Sequence, residues 1–155
     1  MKKVFITFSL LVLTFLISGC GCSKKNLKTV TCKMEKESTY NFTSDYTIKY
    51  NEKNEQIIFY EENVAIDSKD ESIDLNSLKE YFEKNYAQLN ELENFNFSTN
   101  VENNILTINI SINYEKIDKD KLLEIDQSYG NYIENDIFNY KKFLNELETL
   151  GAICS

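Results

Sequence analysis

Two stretches of strict alternation decide what this chain can fold into. Tyr40, Phe42, Tyr46, Ile48 and Tyr50 take the even positions of the first, with Asn41, Thr43, Asp45, Thr47 and Lys49 between them. Leu106, Ile108, Ile110, Ile112 and Tyr114 alternate in the same way with Thr107, Asn109, Ser111 and Asn113. A helix would scatter these apolar side chains around its whole surface. A strand collects them on one face, so each stretch reads as a half-buried strand.

The neighbouring segments extend this reading. Thr29 to Met34 places Val30, Cys32 and Met34 on one face. Gln56 to Ile66 is apolar without a break from Ile57 to Tyr60 and alternates at Val64 and Ile66. The turn signal Asn51-Glu52-Lys53-Asn54 is too short for a parallel crossover, so the first three strands are expected to form an antiparallel meander. Phe95 to Val101 and Ile105 to Tyr114 form a hairpin through Glu102-Asn103-Asn104.

Helical spacing takes over from Asp74 to Glu93, with Leu75, Leu78, Phe82, Tyr86, Leu89 and Leu92 on one stripe. Ser77-Leu78-Lys79-Glu80 fits a capping box, and Asp74 is the alternative N-cap. Asp118 to Ile125 is a short helix, and Asp126 to Asn139 is the least regular stretch. A last helix ends at Leu150, with Phe143, Leu144, Leu147 and Leu150 inward and Gly151 as its positive-φ cap. The order β-β-β-α-β-β-α predicts an α+β fold, an antiparallel sheet with helices packed on one face.

Composition limits the chemistry. The chain has 155 residues, a formal charge of −8, 17 basic residues that are all Lys, and no His, Trp or Pro. Without His, the Ser-His-Asp, Cys-His and His-zinc sites are excluded. The acidic balance opposes binding to nucleic acid, which needs clustered positive charge. A Gly-rich phosphate loop is absent, because only Gly130 and Gly151 lie beyond the amino-terminal region. No metal or cofactor is implied.

The amino terminus reads as an export signal. Lys2 and Lys3 precede an uncharged run, Val4 to Ile17, which is short for a membrane-spanning helix. Ile17-Ser18-Gly19-Cys20 follows, an aliphatic residue and two small ones before a Cys, as in the bacterial lipobox. The expected layout is a signal peptide at 1–19, a lipidated Cys20 with its tether at 20–28, and one domain at 29–155. An uncleaved membrane anchor is the alternative. Cys22 is a poorer acceptor, since Gly19 would then hold the aliphatic position. Acyl chains on Cys20 would attach the protein to the extracytoplasmic face of the cell membrane. Lys24, Lys25 and Lys28 either rest against anionic head groups or belong to a solvated linker.

Taken together these parts resemble the small uncharacterised bacterial lipoproteins called YehR-like, especially their Gram-positive relatives. The resemblance spans the whole chain. It rests on the lipobox, the strand Val30-Thr31-Cys32-Lys33, the hairpin ending Ile112-Asn113-Tyr114, and the closing Leu150-Gly151-Ala152-Ile153-Cys154. It implies an α+β lipoprotein on the cell surface and no particular activity. The loop from Asp126 to Asn139 departs from the usual pattern.

Four groups of residues are candidates for function. Cys32 faces inward and Cys154 follows the last helix, so the two are expected to form a disulfide; two free buried thiols are the alternative. Asp67, Asp70, Glu71 and Asp74 form an acidic run without the central Gly of a calcium loop. It is better read as a solvated approach to a helix N-terminus. Tyr129 and Tyr132, with Phe138 and Tyr140 nearby, offer rings to a ligand or pack beneath the loop. The 25 Asp and Glu residues make some carboxylate pair look plausible anywhere. The expected function is therefore a membrane-anchored, non-enzymatic binding protein with an envelope or protein partner. A carboxylate-dependent envelope hydrolase is the alternative.

Overall fold

The computed structural model describes residues 26–37, 39–68 and 74–155. Cys20, Cys22, Lys24, Lys25, Asp70 and Glu71 lie outside the described residues, as does the lipobox. The meander is β1 (Leu27–Glu37), β2 (Tyr40–Asn51) and β3 (Gln56–Ser68). Helix α1 (Leu75–Tyr86) leads to the hairpin β4 (Phe95–Glu102) and β5 (Ile105–Asn113). Then come α2 (Lys119–Ile125), a short hairpin of β6 (Ile133–Glu134) and β7 (Ile137–Phe138), α3 (Tyr140–Thr149) and β8 (Ile153–Cys154). The main sheet has six antiparallel strands in the order β4-β5-β3-β2-β1-β8. The fold is α+β, as the alternation predicts.

The even-numbered side chains of β1, β2 and β5 form the inner face. Cys32, Met34, Tyr46, Ile48, Leu106, Ile108, Ile110 and Ile112 are all buried there. The unbroken apolar run of β3 has a local cause. Lys49 faces Phe59 while Tyr50 faces Ile57, so Ile58 is one residue too many. This bulge shifts the parity of the strand, and Ile57 and Tyr60 both point into the core. The helices cover this face with Leu75 of α1, Leu122 of α2, and Phe143 and Leu147 of α3. No described helix is long and apolar enough to cross a membrane.

Several ends are built by identifiable devices. Asp74, rather than the capping box at Ser77, caps α1: its carboxylate accepts from the Asn76 amide at 3.0 Å and from the Ser77 hydroxyl at 2.7 Å. Asn103 and Asn104 both have positive φ, 52° and 62°, as a type I′ hairpin turn requires. Gly151 has φ 101°. The Ala152 amide donates to Leu147 O and the Gly151 amide to Glu148 O, which makes a Schellman cap.

Four expectations need correction. The helix expected over 74–93 stops at Tyr86, and a 3₁₀ turn follows at Leu89–Glu91. Leu89 and Leu92 keep the apolar spacing and still pack on the core, so periodicity could not reveal that the backbone turns to enter β4. Asn90 secures that turn by accepting from the Phe97 amide at 2.8 Å. Strand β1 starts at Leu27, so Lys28 lies in the sheet and pairs with Glu52 at 2.7 Å. Leu150, expected inward, is 48% exposed because it is the C-cap of α3. The segment 126–139 is more regular than expected, containing a 3₁₀ turn at Gln127–Tyr132 and the β6–β7 hairpin. Asn135 and Asp136 supply the two positive φ angles of that hairpin.

Candidate functional site

The structure joins Cys32 to Cys154. The two face each other across β1 and β8 with Cα atoms 4.0 Å apart. Flanking them, the Thr31 amide donates to Ser155 O and the Ser155 amide to Thr31 O. The cysteines thus take the narrow, non-hydrogen-bonded position of an antiparallel ladder, which brings their side chains together across the sheet edge.

A row of facing residues crosses the inner face: Cys154, Cys32, Tyr46, Glu62, Ile110 and Phe97. Glu62 is a carboxylate at a position where β3 otherwise turns Tyr60, Val64 and Ile66 inward. Burying a carboxylate costs free energy unless donors meet it. Ser44 Oγ donates to Glu62 Oε1 at 2.8 Å, and Tyr60 OH donates to Oε2 at 2.7 Å. The sequence carried a signal for this group, since Glu62 interrupts the inward apolar series Tyr60-Val64-Ile66. Alternation alone did not single it out.

Glu62 opens into a cavity of about 270 Å³ between the sheet and the segments that follow β5. The sheet contributes Tyr46, Tyr60, Glu62 and Ile110, and Tyr114 stands just beyond the end of β5. Tyr86 comes from the end of α1. The 3₁₀ turn and the residue before it bring Asp126, Ser128, Tyr129 and Tyr132, and α3 brings Phe143, Glu146 and Leu147. Tyr129 and Tyr132 thus both line the cavity. Phe138 instead packs on Tyr114 with ring centroids 4.3 Å apart, and Tyr140 stacks on Tyr50 at 3.8 Å. Asn139 orients the adjoining helix, accepting from the amides of Lys141 and Lys142.

The rings are mutually braced. Tyr46 and Tyr60 lie 6.4 Å apart, Tyr60 meets Phe143 edge-on at 5.1 Å, and Tyr132 meets Phe143 edge-on at 4.9 Å. Burial pushes the Tyr46 phenol up to about 12; Ser44 opposes this and Glu62 adds to it. Burial also raises Tyr60 and Tyr114 well above the ordinary range. Tyr86, Tyr129 and Tyr132 are raised first by burial, then by nearby charge that includes Asp126 in every case.

Glu62 is therefore an acid on the inner face of the sheet, paired with Tyr46 and Ile110, and not on a turn or the polar face. Ser44, hydrogen-bonded to a carboxylate, has the outline of a nucleophile with a base. It is fully buried and absent from the cavity wall, so its role here is to hold Glu62. In the acidic run, Asp67 belongs to β3 opposite Asn41 and Ile105, and Asp74 caps α1. Among the described residues, no three acidic or cysteine side chains converge on a point that would hold a metal ion.

No protein-family model and no curated protein matches the chain. Two solved structures share its fold. The NMR structure of a protein from Streptococcus pneumoniae TIGR4 aligns over 100% of this chain and 97% of its own, with a TM-score of 0.56 and 18% identity. The NMR structure of the E. coli YehR protein aligns over 82% of this chain and 91% of its own, with a TM-score of 0.55 and 12% identity. The fold is therefore YehR-like.

Proposed function

We propose that this chain is a lipid-anchored protein of the extracytoplasmic membrane face, related to the YehR-like lipoproteins, that binds a small ligand without transforming it. The observation that carries the binding role is the cavity around Glu62. Its carboxylate and tyrosine rings are held in place by hydrogen bonds and ring contacts and open into a space large enough for a ligand. The lipobox at Ile17 to Cys20 supports the anchored placement, and the likeness to YehR supports the kinship. Substituting Cys20→Ala should abolish acylation, read by metabolic labelling with an alkyne fatty acid. Label retained by that variant would refute the anchor.

The second reading is a carboxylate-dependent hydrolase, favoured by Glu62, Asp126 and Glu146 sharing one cavity. The expected result is no turnover when the full-length chain is screened against peptidoglycan, esters, phosphoesters and glycosides. Turnover that disappears in a folded Glu62→Gln variant would establish the hydrolase instead.

A further inference from the structure

We infer that the cavity takes the ammonium group of a small organic cation, held against the tyrosine rings with Glu62 as counter-charge. This rests on the binding role proposed above. The wall composition decides the sign of the ligand. Lys makes up all 17 basic residues of the chain, yet none lines the cavity, while three carboxylates do. An anionic ligand would meet only like charge there, and the low-dielectric walls strengthen that repulsion.

Two observations narrow the kind of cation. Six tyrosines line the cavity together with Phe143, and aromatic faces attract a cation through their quadrupole, more strongly where water is displaced. Among the described residues, no three acidic side chains converge as a divalent ion would need, so the charge is matched to a larger, diffuse cation. Tyr114 adds a further ring to the wall: it is only 6% exposed and lines the cavity beside Tyr129 and Tyr132.

The test uses the full-length chain in a non-ionic detergent, titrated with tetramethylammonium at constant ionic strength. With ten Tyr and no Trp, intrinsic fluorescence reports the tyrosines directly. The expected result is a saturable change that sodium and the neutral tert-butanol do not produce. Tyr132→Leu and Glu62→Gln should each weaken binding roughly tenfold, the scale of one desolvated ring or charge contact. Tyr81→Leu, on the exposed side of α1, should not. If Glu62→Gln fails to fold, Glu146→Gln at the exposed rim serves in its place. Tighter binding of glycerophosphocholine than of tetramethylammonium would assign the group to a head group, and the reverse to a free amine. Equal binding of tert-butanol, or no saturable response to tetramethylammonium, overturns the cation assignment. Saturation by N-acetylglucosamine in that case would leave the binding role standing, whereas hydrolytic turnover dependent on Glu62 would remove it.

Discussion

Reducing the Cys32–Cys154 bond should lower the melting temperature by on the order of 10 °C or more. The bond closes a loop with a sequence separation of 122. Loops of that size restrict the unfolded chain enough to contribute about 2–5 kcal/mol, and a domain of this length responds by several degrees per kcal/mol. The loss has a structural site. Strand β8 is two residues long and ladders only with β1, so little besides the disulfide fixes it at the sheet edge. Ala152 just before it is buried and shares in the cap of α3, so a loosened β8 also loosens the helix that walls the cavity. Circular dichroism melts with and without reductant test this, alongside a Cys32→Ala/Cys154→Ala variant. Non-reducing peptide mapping of the oxidised chain should recover the linked pair. Identical melts, or two free thiols in exported protein, would count against the bond.

The second large effect is alkaline unfolding between about pH 10 and 12. In the unfolded chain the tyrosines ionise near 10. In the fold, burial pushes Tyr46 up to about 12 and raises Tyr60 and Tyr114 well above the ordinary range. The native state therefore holds more protons than the unfolded state in that window, and stability falls as pH rises through it. The stabilisation is complete below 10 and is lost on passing the folded-state values. Phenolate absorbance and circular dichroism should change together in one cooperative step. Full phenolate absorbance at pH 11 with the far-ultraviolet spectrum intact would show that these phenols are not held neutral by the fold.

The sheet was legible because one of its faces is covered and the other is not, and the period-two pattern records that difference residue by residue. The meander, the Asn103-Asn104 hairpin and the Gly151 cap follow from local chemistry, and local chemistry is written in order along the chain. The site is not. Glu62 matters because Tyr46 lies beside it on β2 and Ile110 on β5, and because the turn at 127–132 closes over it. None of those neighbours is near it in sequence. The end of α1 was hidden for a related reason, since Leu89 and Leu92 reach the same core from a different backbone. Tyr129 and Tyr132 stand out in the sequence only as aromatics in an irregular stretch, while the patterns around Tyr46, Tyr60, Tyr86 and Tyr114 speak only of strands and a helix.

The bond at the sheet edge also sets how the protein bears mechanical load. Tension applied between the segment before Leu27 and the last residue, Ser155, has a short covalent route. It runs along β1 from Leu27 to Cys32, crosses to Cys154 and leaves at Ser155. Residues 33–153 are off that route, and the cavity with them. A pull from a tethered amino-terminal side would strain six residues of one strand while the rest of the domain stays slack. Opening the bond would place the whole body in line with the force.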